Sequence, residues 1–367
     1  MATATRTAAA VEGLDVTAYT IPTDAPEQDG TFDWDSTTIV VCEVHAAGET
    51  GLGYTYGDVA TGKLIESALA DVVQGCDALE VGAAWEAMSR ALRNIGRPGI
   101  GMMAASAVDI ALWDLKARLL DQPLVAVLDA RHDAVPIYGS GGFTSYSLDR
   151  IRDQLGGWVA DGIPRVKMKV SREPERDPAR LDAAREAIGP DAELYVDANG
   201  ALSRKDGLAW ARRFHDDWGV SWFEEPVSSD DLEGLRLLRD EGPPGLDVAA
   251  GEYGYVAPDF VRLAGVVDCL QADVTRCGGI TGLLEAAGIA RGRQLDLSGH
   301  CAPAVSTHAF AAVPNLRHLE YFHDHVRIEQ MLFDGVPEPD GGELRPDRSR
   351  PGLGLELKRA DARRYAA

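Results

Sequence analysis

Lysine is scarce in this chain, with six residues against thirty arginines. Cysteine is as sparse. The five residues Cys42, Cys76, Cys269, Cys277 and Cys301 are scattered, odd in number and form no CxxC pair. That pattern argues against a disulfide framework and for reduced thiols in a cytoplasmic protein. No apolar run is long enough to cross a bilayer, and Met1–Thr7 lacks the apolar core of a secretion signal. Positive charge is short as well. A formal net charge of −22 argues against nucleic acid as a partner, because the phosphate backbone would repel it, and it favours solubility. What is present is 45% apolar and 26% charged residues over 367 positions. That is a folded globular chain of two domains, or one large α/β barrel with an additional piece.

Two of the six lysines stand one residue apart, in Arg165-Val166-Lys167-Met168-Lys169-Val170. Side chains of a strand alternate with period two, so Val166, Met168 and Val170 share one face and the lysines share the other. Adjacent ammonium groups disfavour each other's charge, and burial pushes the same way. Lysine can then serve as a base at neutral pH, which arginine cannot. The expectation is a proton-abstracting enzyme.

Residues up to about Leu128 lack regular β/α repeats. They contain a strand at 37–44 after a Pro-, Asp- and Gly-rich loop (22–35), a Gly-rich stretch at 51–57, and helices near 65–73, 83–93 and 104–119. This predicts an α+β capping domain over 1–130. From Val135 short apolar strands alternate with amphipathic helices. Strands are read at 135–138, 165–170, 193–197, 221–224, 247–250, 267–271, 294–297 and 316–320. Helices are read at 178–187 (Asp177 as N-cap, Pro178 at the first helical position), 208–216 and 232–239. Eight such units predict a modified TIM (β/α) barrel over 131–330. The tail, about 331–367, reads mostly as loop that returns to the capping domain.

Polar residues end the strands at regular intervals. Asp197, Glu224 and Glu252 are 27 and 28 residues apart, one β/α unit each. Barrel active sites lie at the C-terminal strand ends, so three carboxylates would converge on one mouth. Alone they would repel; a hard divalent cation resolves this, and oxygen-only ligation suits Mg2+. A single acid near a strand end is ordinarily a solvated loop residue, but three in succession opposite a lysine pair are not. Past the sixth strand stands Asp273, and past the seventh His300. A carboxylate on one ring nitrogen fixes the tautomer and leaves the other to move a proton. His45, His132, His215 and His318 read as structural, and His308, His323 and His325 are weaker candidates. Glu320 ends the eighth strand, placed to hydrogen-bond a reacting oxygen.

Taken in order, these segments resemble the enolase superfamily, mandelate racemase subgroup, over nearly the whole chain. Ser106-Ala107-Val108-Asp109-Ile110-Ala111-Leu112-Trp113-Asp114-Leu115 resembles the helix closing that family's capping domain. Lys167-Met168-Lys169 resembles its KxK motif, and Val196-Asp197-Ala198-Asn199, Trp222-Phe223-Glu224-Glu225-Pro226 and Gly251-Glu252 its metal-ligand motifs. Cys277-Gly278-Gly279-Ile280-Thr281 follows Asp273 as in that subgroup. The resemblance implies removal of the proton alpha to a carboxylate, with Mg2+ stabilising the enediolate. It makes Lys169 the base on one face and Lys167 its pKa partner and a carboxylate contact. His300 with Asp273 serves the other face, and Glu320 hydrogen-bonds the enediolate. Asn199 matches a substrate-contacting position, Ser140 lies where the first strand meets the pocket, and Glu225 stands behind the metal ligands, pointing to the opposite side of the strand from Glu224. It also implies that homo-oligomers are common among relatives.

No lysine occurs between Ala264 and Leu295, which disfavours the cycloisomerisation and dipeptide epimerisation that a sixth-strand lysine serves. Residue 199 is not the histidine some sugar-acid dehydratases carry. Two outcomes follow from bases on both faces. With a β-hydroxyl, protonation by His300 expels water and gives a 2-keto-3-deoxy acid; without a leaving group, reprotonation gives racemisation. Dehydration of an aldonate or aldarate is the preferred reading, racemisation of a 2-hydroxy acid the alternative. The polar segment 23–30 suits a hydroxylated small-molecule carboxylate, while Phe32 and Trp34 keep a mandelate-like ring in play. A non-catalytic sugar-acid binding protein is the remote third, since it predicts a damaged site and every position here is filled.

Overall fold

Three antiparallel strands, β1 (Gly13–Gln28), β2 (Asp33–Ala46) and β3 (Glu49–Tyr56), open the computed structural model, which describes residues 9–367. Met1–Thr7, read above for a secretion signal, lies outside the described residues. The sequence reading found only β2. β1 carries Pro22 and Pro26 and passes for a loop, but it is the edge of the sheet, where a missing N–H is tolerated, and its register breaks between Pro22 and Glu27. β3 was hidden by its glycines. A Cβ on Gly51 would stand 2.1 Å from the Ala111 carbonyl oxygen, and one on Gly53 2.2 Å from that of Ala107. Glycine is there because the strand lies directly on the helix Ile100–Leu119.

The barrel strands are β4 (Val135–Gly141), β5 (Arg165–Lys169), β6 (Glu193–Asp197), β7 (Val220–Glu224), β8 (Asp247–Ala250), β9 (Cys269–Ala272), β10 (Leu297–Gly299) and β11 (Leu316–Phe322). They are parallel in sequence order, and β11 closes on β4 with Leu319 opposite Ile137. β10 begins three residues later than read because Gln294 takes a left-handed φ of 60°. Val166, Met168 and Val170 pack outward with Leu155 and Leu181 of the flanking helices. Tyr138, Tyr195, Trp222, Ala249 and Cys269 fill the barrel interior, so both strand faces are buried. Asp177 is the first residue of its helix rather than the cap, and its carboxylate accepts from Ser171 N at 2.7 Å and Arg180 Nη1 at 2.8 Å.

The helix Ile100–Leu119 ties the two parts together. Ser106 Oγ accepts from the N–H groups of Gly278 (2.9 Å) and Gly279 (3.0 Å), and Asp109 accepts from Thr281 N (3.0 Å) and Oγ1 (2.7 Å). The tail is less loop-like than read. Phe333–Asp334 pairs with Glu356–Leu357, and Glu343–Leu344 pairs with β4. Arg359 makes a two-pronged ion pair with Glu43 of β2, at 2.6 and 2.9 Å. Among the described residues no helix is long and apolar enough to cross a membrane.

Candidate active site

The lysine pair points into the barrel at its C-terminal end, and both residues are buried. In register Lys169 stands beside Asp197, and Asp197 beside Glu224. Lys169 Nζ lies 2.6 Å from Asp197 Oδ2. Lys167 Nζ contacts Glu224 Oε1 and reaches Glu320 Oε1 at 2.8 Å and Asp197 Oδ2 at 3.6 Å. Glu224 is held from its other oxygen by Trp222 Nε1 and Gln271 Nε2, both at 2.9 Å.

Asp197, Glu224 and Glu252 each bring a carboxylate oxygen within 4.8 Å of the others, and all three residues are buried. Glu252 Oε2 is 2.9 Å from His300 Nε2 yet accepts no well-aligned hydrogen bond. Three convergent buried carboxylates, one with an unsatisfied oxygen, are a donor set for a hard dication. The residues therefore fit Mg2+.

Across the mouth, His300 Nδ1 bonds Asp273 Oδ2 at 2.7 Å, which leaves Nε2 as the working nitrogen. Nε2 lies 3.5 Å from Glu320 Oε2. Glu320 accepts from Ser140 Oγ at 2.6 Å and Cys301 Sγ at 3.2 Å. Asp273 is further held by Thr275, whose N and Oγ1 both donate at 2.7 Å. Cys301 and Ala302 follow with φ of 53° and 46°, two consecutive left-handed non-glycine residues that turn the chain sharply at the site.

The protonation balance differs from the sequence expectation. Burial lowers the Lys169 pKa and Lys167 lowers it further, but Asp197 outweighs both and holds the ammonium above its usual range. Lys167 is likewise held up against burial by Glu224 and Glu320. Mutual repulsion of the lysines is real but subordinate to the carboxylates. A dication on those carboxylates would claim their charge and shift the balance back toward the neutral amine. Burial also works against a charged His300, and Glu252, Glu320 and Asp273 together hold the imidazole well above its usual value. Cys301, whose own pKa burial raises, is a neutral thiol and adds no charge.

Above this floor lies a cavity of about 420 Å³, into which Lys169, Asn199, Glu252 and His300 open. A cleft of about 450 Å³ elsewhere, between Pro98 and Arg262, holds none of the strand-end carboxylates proposed for the metal. The roof is the β1–β2 hairpin. Residues 23–28, read as part of a polar loop, belong to β1. The tip bonds Thr31 Oγ1 to the Asn199 carbonyl at 3.3 Å. Gly30 allows this seating, because a Cβ there would meet the Ala198 carbonyl oxygen at 2.2 Å. Gly30→Ala should raise KM several-fold with the circular dichroism spectrum unchanged; steady-state kinetics on a turned-over acid would check it.

Under the hairpin, burial and the neighbouring Asp324 push Glu27 up to about 9, against the hydrogen bond from Trp34 and the charge of Arg327. The folded protein therefore keeps a proton there that the unfolded chain releases near 4.5. Stability falls as pH rises through that window. Glu27→Gln should flatten the decline in Tm between roughly pH 5 and 9. Parallel Tm–pH curves for the two proteins would count against this account.

Sequence profiles now bear on the fold and the site together. One described as mandelate racemase / muconate lactonizing enzyme, N-terminal domain, matches residues 14–128, and one described as enolase C-terminal domain-like matches residues 150–362. The chain belongs to the mandelate racemase/muconate lactonizing enzyme family. A mandelate racemase/muconate lactonizing enzyme-like protein from Rubrobacter xylanophilus has a crystal structure similar at TM-score 0.97 and 64% identity, covering 98% of this chain and 100% of that one. The 3,6-anhydro-alpha-L-galactonate cycloisomerase of Streptomyces coelicolor is 32% identical over 95% of this chain and 98% of its own. The L-talarate/galactarate dehydratase of Salmonella typhimurium is 32% identical over 89% of this chain and 82% of its own. A crystal structure of that dehydratase with Mg and L-lyxarohydroxamate superposes at TM-score 0.90 and 28% identity, over 100% of this chain and 95% of that one. The missing sixth-strand lysine thus does not set the chain apart from every cycloisomerase.

In this family member the structure brings Lys167, Lys169, Asp197, Glu224, Glu252, Asp273, His300 and Glu320 into one cluster. Asn199 reaches the cavity with a left-handed φ of 47°, and its Oδ1 is buried without a partner. Ser140 is a correction: it is fully buried beneath Glu320 and spends its hydroxyl there, so it supports that carboxylate and does not line the cavity. Glu225 is another. The strand stops at Glu224, Glu225 takes φ 39°, and its carboxyl stays buried, accepting from Gly251 N at 3.3 Å. Burial and the nearby Glu252 and Asp197 push its pKa well up. Sequence reading missed Cys301, Arg276 and Tyr56. The first is flagged only by its adjacency to His300, and the others by nothing local.

Proposed function

We propose that the protein is a Mg2+-dependent enzyme that removes the proton alpha to the carboxylate of a sugar acid and expels the β-oxygen, acting as a hydro-lyase in preference to a racemase. The observation carrying this reading is the placement of Lys169 and the Asp273–His300 pair on different strand ends around three convergent carboxylates. Asp197, Glu224 and Glu252 would hold the ion. When bound, Mg2+ supplies Lewis-acid stabilisation of charge developing on the substrate carboxylate. Lys169 as the free amine takes the α-proton, and the C–H electron pair moves into the carboxylate. Lys167 stays charged under Glu224 and Glu320 and offsets the charge of the site. Glu320, fixed by Ser140 and Lys167, would have to carry a proton to hydrogen-bond the enediolate oxygen, and Asn199 contacts the substrate from the roof side. His300, its Nδ1 fixed by Asp273, gives a proton from Nε2 to the β-hydroxyl. The C–O bond breaks, water leaves, and the enol tautomerises to the 2-keto-3-deoxy acid. In this reading residues 1–130 are the cap, 131–330 the catalytic barrel and 331–367 the tail returning to the cap. The unpaired thiols suit the reducing cytoplasm.

A second outcome shares the first step. If the β-oxygen is part of a ring, the same elimination opens the ring and yields an isomer. The near full-length match to a sugar-acid cycloisomerase favours keeping it. Incubation of the purified protein with Mg2+ and a sugar-acid panel in D2O, followed by mass spectrometry and NMR, tests the proposal. Loss of water supports it, and ring opening without loss of water, with a solvent deuteron gained on carbon, selects the second outcome. α-Deuteration alone makes the protein a racemase. No exchange with any acid leaves a binding protein and overturns the proposal.

A further inference from the structure

Positive charge enters the cavity from the barrel side only. Its basic lining residues are Lys169, Arg276 and His300, all carried by the barrel. Arg276 is already engaged, at 3.1 Å from the Glu252 carbonyl oxygen and 3.6 Å from Asp273 Oδ2. The facing wall comes from the N-terminal sheet and includes Asp29, Trp34, Ser36, Thr37, Thr38 and Tyr56. Among the described residues of that wall there is no lysine or arginine.

Its polar groups are set for a neutral partner. Asp29 Oδ1 accepts from Thr31 N at 2.6 Å and Phe32 N at 2.7 Å, and adds a negative charge. Thr37 donates its hydroxyl proton to Asp324 Oδ2 at 2.5 Å, so only lone pairs remain to face a ligand. His325 lines the same space, stacked on Tyr56 with ring centroids 3.4 Å apart. Its Nδ1 accepts from Ala302 N at 3.3 Å, which puts the ring proton on Nε2. Burial pushes its pKa down to about 3, so the ring stays uncharged. A lone-pair acceptor and a neutral N–H suit hydroxyl groups. A second carboxylate would meet an acceptor, a resident negative charge and no cation, and would lose its hydration unreplaced.

Resting on the sugar-acid reading above, we propose that the substrate is a monocarboxylate with a neutral, hydroxylated far end, an aldonate or anhydro-aldonate, and that aldarates are rejected. The test compares six-carbon aldonates with aldarates of the same configuration, in D2O with Mg2+. The expected result is a kcat/KM at least ~100-fold higher for the aldonate of each active pair. Ser36→Arg, which places a cation on the exposed edge of the wall, should improve the matched aldarate at least ~10-fold relative to its aldonate. An aldarate turned over as well as its aldonate overturns the inference. Calorimetric binding to Lys169→Ala with Mg2+ separates the two levels. Tighter aldarate binding overturns the charge argument, whereas aldonate binding without α-exchange in the unsubstituted protein overturns the reaction and leaves the charge argument standing.

Discussion

Lys169→Ala should lower kcat by about 10²–10⁴-fold, the range for losing a positioned acid or base, with an unchanged circular dichroism spectrum. The side chain sits against Asp197 at 2.6 Å, and Lys167 remains 3.6 Å from the same oxygen, so the carboxylate keeps a cationic neighbour and the barrel has no new unpaired charge to expel. The informative comparison is with His300→Asn. Both variants should lose product formation. They should differ in α-hydrogen exchange, which Lys169→Ala loses and His300→Asn retains, because the two groups serve successive proton transfers. Exchange retained by Lys169→Ala and lost in His300→Asn would reverse the assignment of the base, and exchange in both at the parent rate would remove it from either residue.

Removal of the cation is the other large effect. Chelation should abolish turnover, and Mg2+ should raise Tm by an amount that grows with its concentration. At a hundredfold excess over Kd the linkage is worth about 2.7 kcal/mol. Glu252→Gln should erase both responses. Its Oε2 is the ligand-set oxygen without a well-aligned hydrogen bond in the protein, so the amide removes a metal oxygen without orphaning a hydrogen-bond donor there, although it also removes a charge beside His300. A Mg2+-dependent Tm rise that survives in Glu252→Gln would place the ion elsewhere.

The barrel was legible because its strands are short apolar runs separated by helical patterns, and because β5, β6 and β7 end in Lys169, Asp197 and Glu224. The 27- and 28-residue spacing of Asp197, Glu224 and Glu252 marks them in the sequence itself. The N-terminal sheet was less legible. The glycines of β3 answer to a helix sixty residues away, and the prolines of β1 are harmless only because that strand is an edge. Glu225 misled because strand alternation was carried one residue past the strand's end. The lysine pKa misled for a different reason. Adjacent ammonium groups are visible in sequence, whereas the carboxylates that outweigh them arrive from other strands. Likewise, nothing around His325 in the sequence shows which ring nitrogen is taken by Ala302.

The bonds from Ser106 and Asp109 to the Gly278–Thr281 segment carry a practical lesson for recombination. The specificity wall and the catalytic floor are inherited as matched halves. Swapping in a relative's first 128 residues transplants a ligand-reading surface only if the incoming helix can grip the same loop. A crossover placed between β3 and that helix would fail sooner, since it parts a glycine ridge from the groove it was shaped to fit.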